Sequence, residues 1–258
     1  MARIRLLSTD FDGTLIMHPS DGRCGPAFAE AIRRHKAGGG LWAVNTGRSL
    51  AHAIEGLEIF GAPVEPDFLL TNEREIFERD STGTWQPHHE WNLACYRRHD
   101  ELFERSSDII ESIRSFADGS PHVTLIEEEG RPAGLVTATE DVMHDVAAFI
   151  DREAGSLPDF RYQRNTIYLR FCHRDYHKGS SLLALSGHLG IATADVMAAG
   201  DHFNDIPMLD GLAARMTCCP SNAIPEVKDV VLRAGGYVAA QEGGAGVAQA
   251  WEYFHTAL

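Results

Sequence analysis

Asp10 and Asp12 stand in the short segment DFDGTL, where Gly13 and Thr14 let the backbone turn sharply beside them. Carboxylates this close repel each other, and an aspartate after a strand serves a turn as readily as it serves chemistry. Three further polar clusters weigh toward chemistry: NTGR after LWAV, Lys178 at the mouth of a helix-like segment, and GDHFND after DVMAA. In an open parallel sheet the carboxyl ends of the strands form the ligand crevice, so these separate segments are expected to converge. The residue types suit phosphoryl transfer. A phosphate monoester is dianionic, and a carboxylate nucleophile needs a cation to cancel repulsion and hold attacker and phosphorus in line. Mg2+ fits an all-oxygen site of a few carboxylates, a backbone carbonyl and water. Asp10, the Asp12 carbonyl and Asp201 offer such ligands, with Asp205 in direct contact or acting through water. Thr46 and the Gly47 amide are donors for phosphoryl oxygens, Lys178 sets a point charge against them, and Asn204 orients either Lys178 or the phosphate.

The elements that must position these residues change rhythm twice. From Ile4 to Thr71 the order is strand, helix, strand, helix, strand: RIRLLS, PAFAEAIRRHKAGG, LWAVN, SLAHAIEGLEIF and DFLLT. Apolar runs alternating with amphipathic stretches predict right-handed βαβ units and a parallel sheet. Between residues 73 and 174 the pattern turns to short paired strands near REIFER, GTWQP, HVTLIEE, PAGLVTAT, FRYQR and TIYLRFC. Helices accompany them near LACYRRHDELFERSSDIIESIRSFA and DVMHDVAAFIDREA, which predicts an antiparallel α+β unit. After Lys178 the parallel rhythm returns. The expected fold is therefore α/β: a Rossmann-like parallel-sheet core made of residues 1–72 and 175–258, with an inserted α+β cap over residues 73–174. Arg3 and Arg5 are out of character for a central strand and are placed near its exposed start.

The four polar segments resemble the four motifs of the haloacid-dehalogenase superfamily: DFDGTL the first, Thr46 in NTGR the second, Lys178 the third and GDHFND the fourth. The likeness extends along the whole chain, because an insertion between the second and third motifs resembles that family's type 2 cap, and its mixed strands and helices resemble the Cof-type, or IIB, branch. The resemblance implies a Mg2+-dependent phosphatase acting on a small phosphorylated metabolite, with a sugar phosphate as the leading substrate. It also implies that Asp10 attacks phosphorus to form an aspartyl-phosphate and that Asp12 protonates the leaving oxygen, then takes a proton from the hydrolytic water. A phosphomutase of the phosphomannomutase-like type would use the same Asp10 but return the phosphoryl group to a reoriented sugar. A non-catalytic binding module on the same fold is the reading of a different class. Many Cof-type relatives continue the third strand with Asn-Gly, whereas this chain has Asn72-Glu73-Arg74.

Several residues carry two readings. Arg48 either fixes the phosphate loop or opens an exposed helix face, and Arg74 either meets a second anionic group of the substrate or is a solvated hinge residue. His88 and His89, read as strand neighbours, point to opposite faces and are expected to be structural. Asn165, Tyr168 and Arg170 lie where a cap can touch a leaving group, with core packing as the other reading for Tyr168. Asn222 is expected to cap the helix at AIPEV, with a supporting role at the site as the alternative the resemblance permits.

Composition bounds the partners. A formal charge of −14 with no basic stripe disfavours nucleic acid, while a metal ion and a few cations still make one cleft attractive to an anionic small molecule. No run reaches the ~18 apolar residues of a membrane span, and RIRLLSTD follows Met1 without a signal-like stretch, so a cytoplasmic protein that does not engage a membrane is expected. The five cysteines are odd in number and lack a CxxC pair, which points to reduced thiols. No oligomeric state is assigned from the sequence.

Overall fold

A computed structural model describes residues 4–17, 22–128 and 130–257. Strand β1 (Leu6–Thr9) is buried along its whole length, and its side chains alternate between two cores. Leu7 joins one apolar cluster and Leu6 the other, as the period of two in an extended strand requires. The same division runs through β2 (Leu41–Asn45), β3 (Phe68–Thr71), β10 (Val196–Ala199) and β11 (Met216–Cys219). Trp42, Val44, Leu69, Met197 and Cys218 face the first cluster, while Ala43, Phe68, Leu70, Ala198 and Cys219 face the second. A strand buried on both faces reads as a continuous apolar run, which is why LWAV and DVMAA carry no polar alternation.

Each face is covered by helices. Helices α1 (Pro26–Ala37), α2 (Leu50–Phe60) and α9 (Gly243–Ala257) supply Phe28, Ile32, Phe60, Val247 and Trp251 to the first cluster. Helices α6 (Lys178–His188), α7 (Ile206–Leu209) and α8 (Pro225–Arg233) supply Leu182, Leu185, Met208, Val227 and Val231 to the second. Local signals start them: Pro26 and Pro225 stand in the first turns of α1 and α8, and Ser49 caps α2 by accepting from the His52 N–H.

The large sheet has the order β12-β11-β10-β1-β2-β3-β4-β5, where β12 is Tyr237–Val238, β4 is Glu75–Arg79 and β5 is Trp85–Pro87. The pairings among its first six strands are parallel, and the last two, β3 with β4 and β4 with β5, are antiparallel. This corrects the expected boundary of the insertion. REIFER and GTWQP, assigned by sequence to residues 73–174, extend the core sheet, with Leu69 opposite Phe77. Only residues 72–74 separate β3 from β4, too few for a crossover, so the chain must double back along β3. The second compact unit accordingly runs over Leu93–His177.

That unit contains a four-stranded antiparallel sheet of order β6-β7-β9-β8, formed by Val123–Glu128, Arg131–Thr137, Tyr168–His173 and Phe160–Asn165 respectively. Helices α4 (Ser107–Asp118) and α5 (Glu140–Glu153), with the later turns of α3 (His89–Arg105), pack on it. Leu102, Ile113, Val146 and Ile150 meet Leu135, Phe160, Leu169 and Phe171 in a core of their own. The helical stretch expected near LACYRRHDELFERSSDIIESIRSFA forms two helices, broken at Ser106. His89 belongs to α3 and not to a strand, and His88 Nδ1 accepts from the Trp91 N–H at 3.3 Å, so this pair initiates a helix. Arg5 is exposed at the start of β1 as expected, and Arg3 lies outside the described residues.

Candidate active site

The site begins where β1 ends. Asp10 follows Thr9 and is buried, with its amide donating to the Ala199 carbonyl of β10 at 2.8 Å. The chain then turns at Gly13, whose φ of +81° belongs to the left-handed region, and the Gly13 amide donates to the Ile16 carbonyl at 2.7 Å. Thr14 on this turn donates from Oγ1 to Asp201 Oδ1 at 2.7 Å, which joins the loop after β1 to the loop after β10.

Lys178 enters from the first turn of α6 and is wholly buried. A cation at a helix N-terminus is disfavoured by the helix dipole, so strong partners must hold it there. They do: Nζ donates to Asp10 Oδ1 at 2.6 Å and to Asp205 Oδ1 at 2.7 Å. The other oxygen of Asp205 accepts from the Asp201 and His202 amides at 2.8 and 2.9 Å, fixing the loop that presents Asp201. The structure thus brings Asp10, Lys178, Asp201 and Asp205 together from segments far apart along the chain. One oxygen from each of the three carboxylates lies within 4.8 Å of the others.

Electrostatics fix what this cluster lacks. Burial pushes the Asp10 carboxyl well above its usual range; Lys178 pulls it back, while Asp205 and Asp201 add to the rise. Burial and the neighbouring Asp205 push Asp201 up to about 7. Lys178 moves the other way from a typical buried amine: burial works against its charge, but Asp10 and Asp205 outweigh burial and raise its pKa. Three buried carboxylates around one ammonium leave negative charge uncompensated, and their donor atoms are hard oxygens. This is the donor set and the charge deficit that a small divalent cation fits.

The remaining expected residues are placed differently. Thr46 is buried at the end of β2, and its Oγ1 accepts from the Arg48 N–H at 3.2 Å. Asp12 turns its carboxylate to Arg48. Asn204 does not orient Lys178; its Nδ2 donates to Glu73 Oε1 at 2.9 Å. Asn222 does not cap α8, whose N-cap is Ile224; it donates to the Gly13 carbonyl at 2.8 Å and accepts from the Gly243 N–H at 2.9 Å, bracing the turn after β1. Arg74 gives its carbonyl to Trp91 Nε1 at 2.6 Å. In the second unit Arg170 pairs with Glu128 at 2.9 Å, Asn165 faces Tyr168 across the β8–β9 hairpin, and Tyr168 is 58% exposed, which excludes core packing for it.

Sequence reasoning passed over Glu73. It is buried with φ +65°, next to Asn72 at φ +49°, and its Oε1 accepts from Asn204 and stands 3.0 Å from where a Cβ on Gly47 would lie. A bulky residue in the left-handed region is strained, and such strain concentrates at functional sites. The available signal was a glutamate standing in a tight turn where glycine is the easier choice.

The profile of the haloacid dehalogenase-like hydrolases matches residues 92–250, more than half of the chain. The chain belongs to that family. This haloacid dehalogenase-like hydrolase is 27% identical over 244 residues to the HMP-PP phosphatase of Yersinia pestis (strain Pestoides F), covering 87% of this chain and 86% of that one. It is 29% identical over 182 residues to a Haemophilus influenzae relative, and that match spans 67% of this chain and 63% of the relative's length. Its fold matches the sucrose-phosphatase of Synechocystis sp. PCC6803, solved with sucrose and phosphate, with a TM-score of 0.72, 21% identity and 98% of each chain covered. Family and relatives together make this hydrolase a phosphatase of the Cof type. No helix among the described residues is long and apolar enough to cross a membrane.

The turn after β1 yields a direct expectation for this hydrolase. A Cβ added at Gly13 would lie 2.3 Å from Asp201 Oδ2, and φ there is +81°. Gly13→Ala is expected to cost about 1–3 kcal/mol of stability through backbone strain and to displace Asp201, with turnover of p-nitrophenyl phosphate falling at least about tenfold. Thermal unfolding and initial rates measure the two effects; a variant with parental melting and parental rates would contradict the geometry.

Proposed function

We propose that this chain is a Mg2+-dependent phosphomonoesterase for a small phosphorylated metabolite, with a sugar phosphate as the leading class, working through an aspartyl-phosphate on Asp10. The observation that carries this reading is the buried cluster of Asp10, Asp201 and Asp205 around the single ammonium of Lys178. Mg2+ would be held by Asp10, the Asp12 carbonyl and Asp201, with Asp205 joining directly or through water. When bound it supplies the positive charge that lets a dianionic ester approach a carboxylate.

The protein groups divide the remaining work. Lys178 grips Asp10 Oδ1, which leaves Oδ2 to attack phosphorus as the ester P–O bond breaks. Asp12 delivers a proton to the leaving oxygen in that step. In the second step water attacks the aspartyl-phosphate, Asp12 takes its proton, and the bond to Asp10 breaks to release inorganic phosphate. The Thr46 hydroxyl, the Gly47 amide and Lys178 would bind the phosphoryl oxygens, and Asn204, tied to Glu73, would border the same pocket.

A small phosphorylated metabolite draws support from both the Synechocystis protein named as a sucrose-phosphatase and the Yersinia protein named as an HMP-PP phosphatase, and a sugar phosphate from the first alone. A panel of sugar phosphates, nucleotides, polyol phosphates and phosphorylated cofactors, scored by free phosphate, separates these classes and also separates a phosphatase from a mutase. Activity is expected to vanish in EDTA and return with excess Mg2+. Undiminished turnover in EDTA would overturn the metal assignment, and a preference for a non-sugar ester would overturn the substrate class.

A further inference from the structure

Arg48 is the last residue of the NTGR segment and turns back toward the first motif. Its guanidinium grips Asp12 with two parallel bonds, Nε to Oδ2 at 2.7 Å and Nη2 to Oδ1 at 2.6 Å. The fork is itself held from other sides. Nη1 donates to the His52 carbonyl on α2 at 3.3 Å, and the guanidinium carbon sits 4.9 Å from the centre of the Phe11 ring. Gly56, one turn further along α2, leaves the space the fork occupies: a Cβ there would lie 2.2 Å from Nη1 and 2.9 Å from Phe11. Asp12 has 38% of its side chain exposed and Arg48 24%, so an unrestrained Asp12 carboxylate would be free to swing into solvent. A planar fork fixes both the position and the plane of a carboxylate, which one point charge cannot do.

We infer that Arg48 is a positioning residue for proton transfer, clamping the Asp12 carboxylate at the mouth of the site through a guanidinium that Phe11, His52 and Gly56 hold rigid. The inference rests on the reading that Asp12 handles the proton in both halves of the reaction. Arg48 does not touch the reacting phosphoryl group. Its loss therefore acts on turnover and not on substrate affinity, and only where Asp12 is present to be positioned.

A double-mutant cycle on the full chain with Mg2+ and p-nitrophenyl phosphate reads this out. Arg48→Ala is expected to lower kcat about 30- to 100-fold, within the range of a general acid–base contribution, with KM changing less than about twofold. In an Asp12→Asn background the same substitution is expected to change kcat by less than about twofold, because residues acting as a unit are non-additive. Arg48→Lys keeps the charge and much of the stem over Phe11 but cannot form the fork; an intermediate loss of about tenfold is expected, and this variant carries the test if Arg48→Ala does not fold. Equal losses in the parental and Asp12→Asn backgrounds would overturn the inference, as would a raised KM at unchanged kcat, which would make Arg48 a substrate contact. Full activity of Asp12→Asn by itself would instead remove the proton-transfer reading and the positioning role along with it.

Discussion

Replacing Asp10 with asparagine is expected to lower phosphate release by at least about 10⁴-fold, the scale on which loss of a covalent nucleophile registers. An amide cannot attack phosphorus as a carboxylate does, and nothing else in the buried cluster replaces it. Asp201 is held by Thr14, and Asp205 spends both oxygens on Lys178 and on backbone amides. The same substitution is not expected to damage the fold. Asparagine has nearly the volume of aspartate, its carbonyl still accepts from Lys178, and one of three crowded buried anions is gone. Metal-free Asp10→Asn should therefore melt at or above the parental temperature. On the proposed metal site, addition of Mg2+ should raise the melting temperature of the parent more than that of the variant, since a ligand that binds only the folded state stabilises it. A variant that turns over at the parental rate would remove Asp10 as nucleophile.

Lys178→Met should combine the opposite stability effect with a comparable loss of rate. Methionine fills a similar volume and keeps the apolar stem, but it leaves Asp10 and Asp205 buried without their shared cation. Removing one partner of a buried ion pair costs about 3–5 kcal/mol, which for a chain of this size corresponds to a fall of roughly 10 °C in melting temperature. The damage should spread, because Asp205 also anchors the amides of Asp201 and His202. Mg2+ should restore part of the thermal stability by supplying positive charge to the cluster. It should restore little activity, because the charge beside the transferring phosphoryl group is still missing. Calorimetry with and without Mg2+, beside an assay of free phosphate, checks both halves; a melting temperature within about 2 °C of the parent would show that Lys178 does not hold the cluster together.

The parallel core was legible because a doubly buried strand leaves an unmistakable trace. LWAVN and VMAAGD reach their first polar side chains, Asn45 and Asp201, only where the strand ends, and the strand ends of one parallel sheet share one side. That topology brings Asp10 and Asp201 near Lys178 before any coordinates are known. What was not legible depends on partner choice. REIFER and GTWQP alternate like any antiparallel hairpin, and alternation shows how a strand pairs without showing which sheet it joins. Their place beside β3 follows from the three-residue link at 72–74. The break at Ser106 carries neither glycine nor proline, so the helical periodicity runs across it unmarked. Asn222 sits where a cap is common, yet Pro225 already opens α8, and the asparagine is drawn to the Gly13 turn from across the fold. The Arg48–Asp12 fork and the burial of Glu73 are tertiary pairings that no local spacing encodes.

The central strand has a consequence for how the protein is made. Leu6 pairs on one side with Leu41 and on the other with Val196, so its second neighbour is translated long after its first. At roughly 5–20 residues per second, β1 waits about eight to thirty seconds on the ribosome with one edge unpaired. An open edge of that kind invites other chains, and nascent-chain holdases that cover it would be most needed in that interval. Slowing translation through residues 41–196 should therefore reduce the soluble yield more than slowing it after residue 219, where β10 and β11 are already in hand.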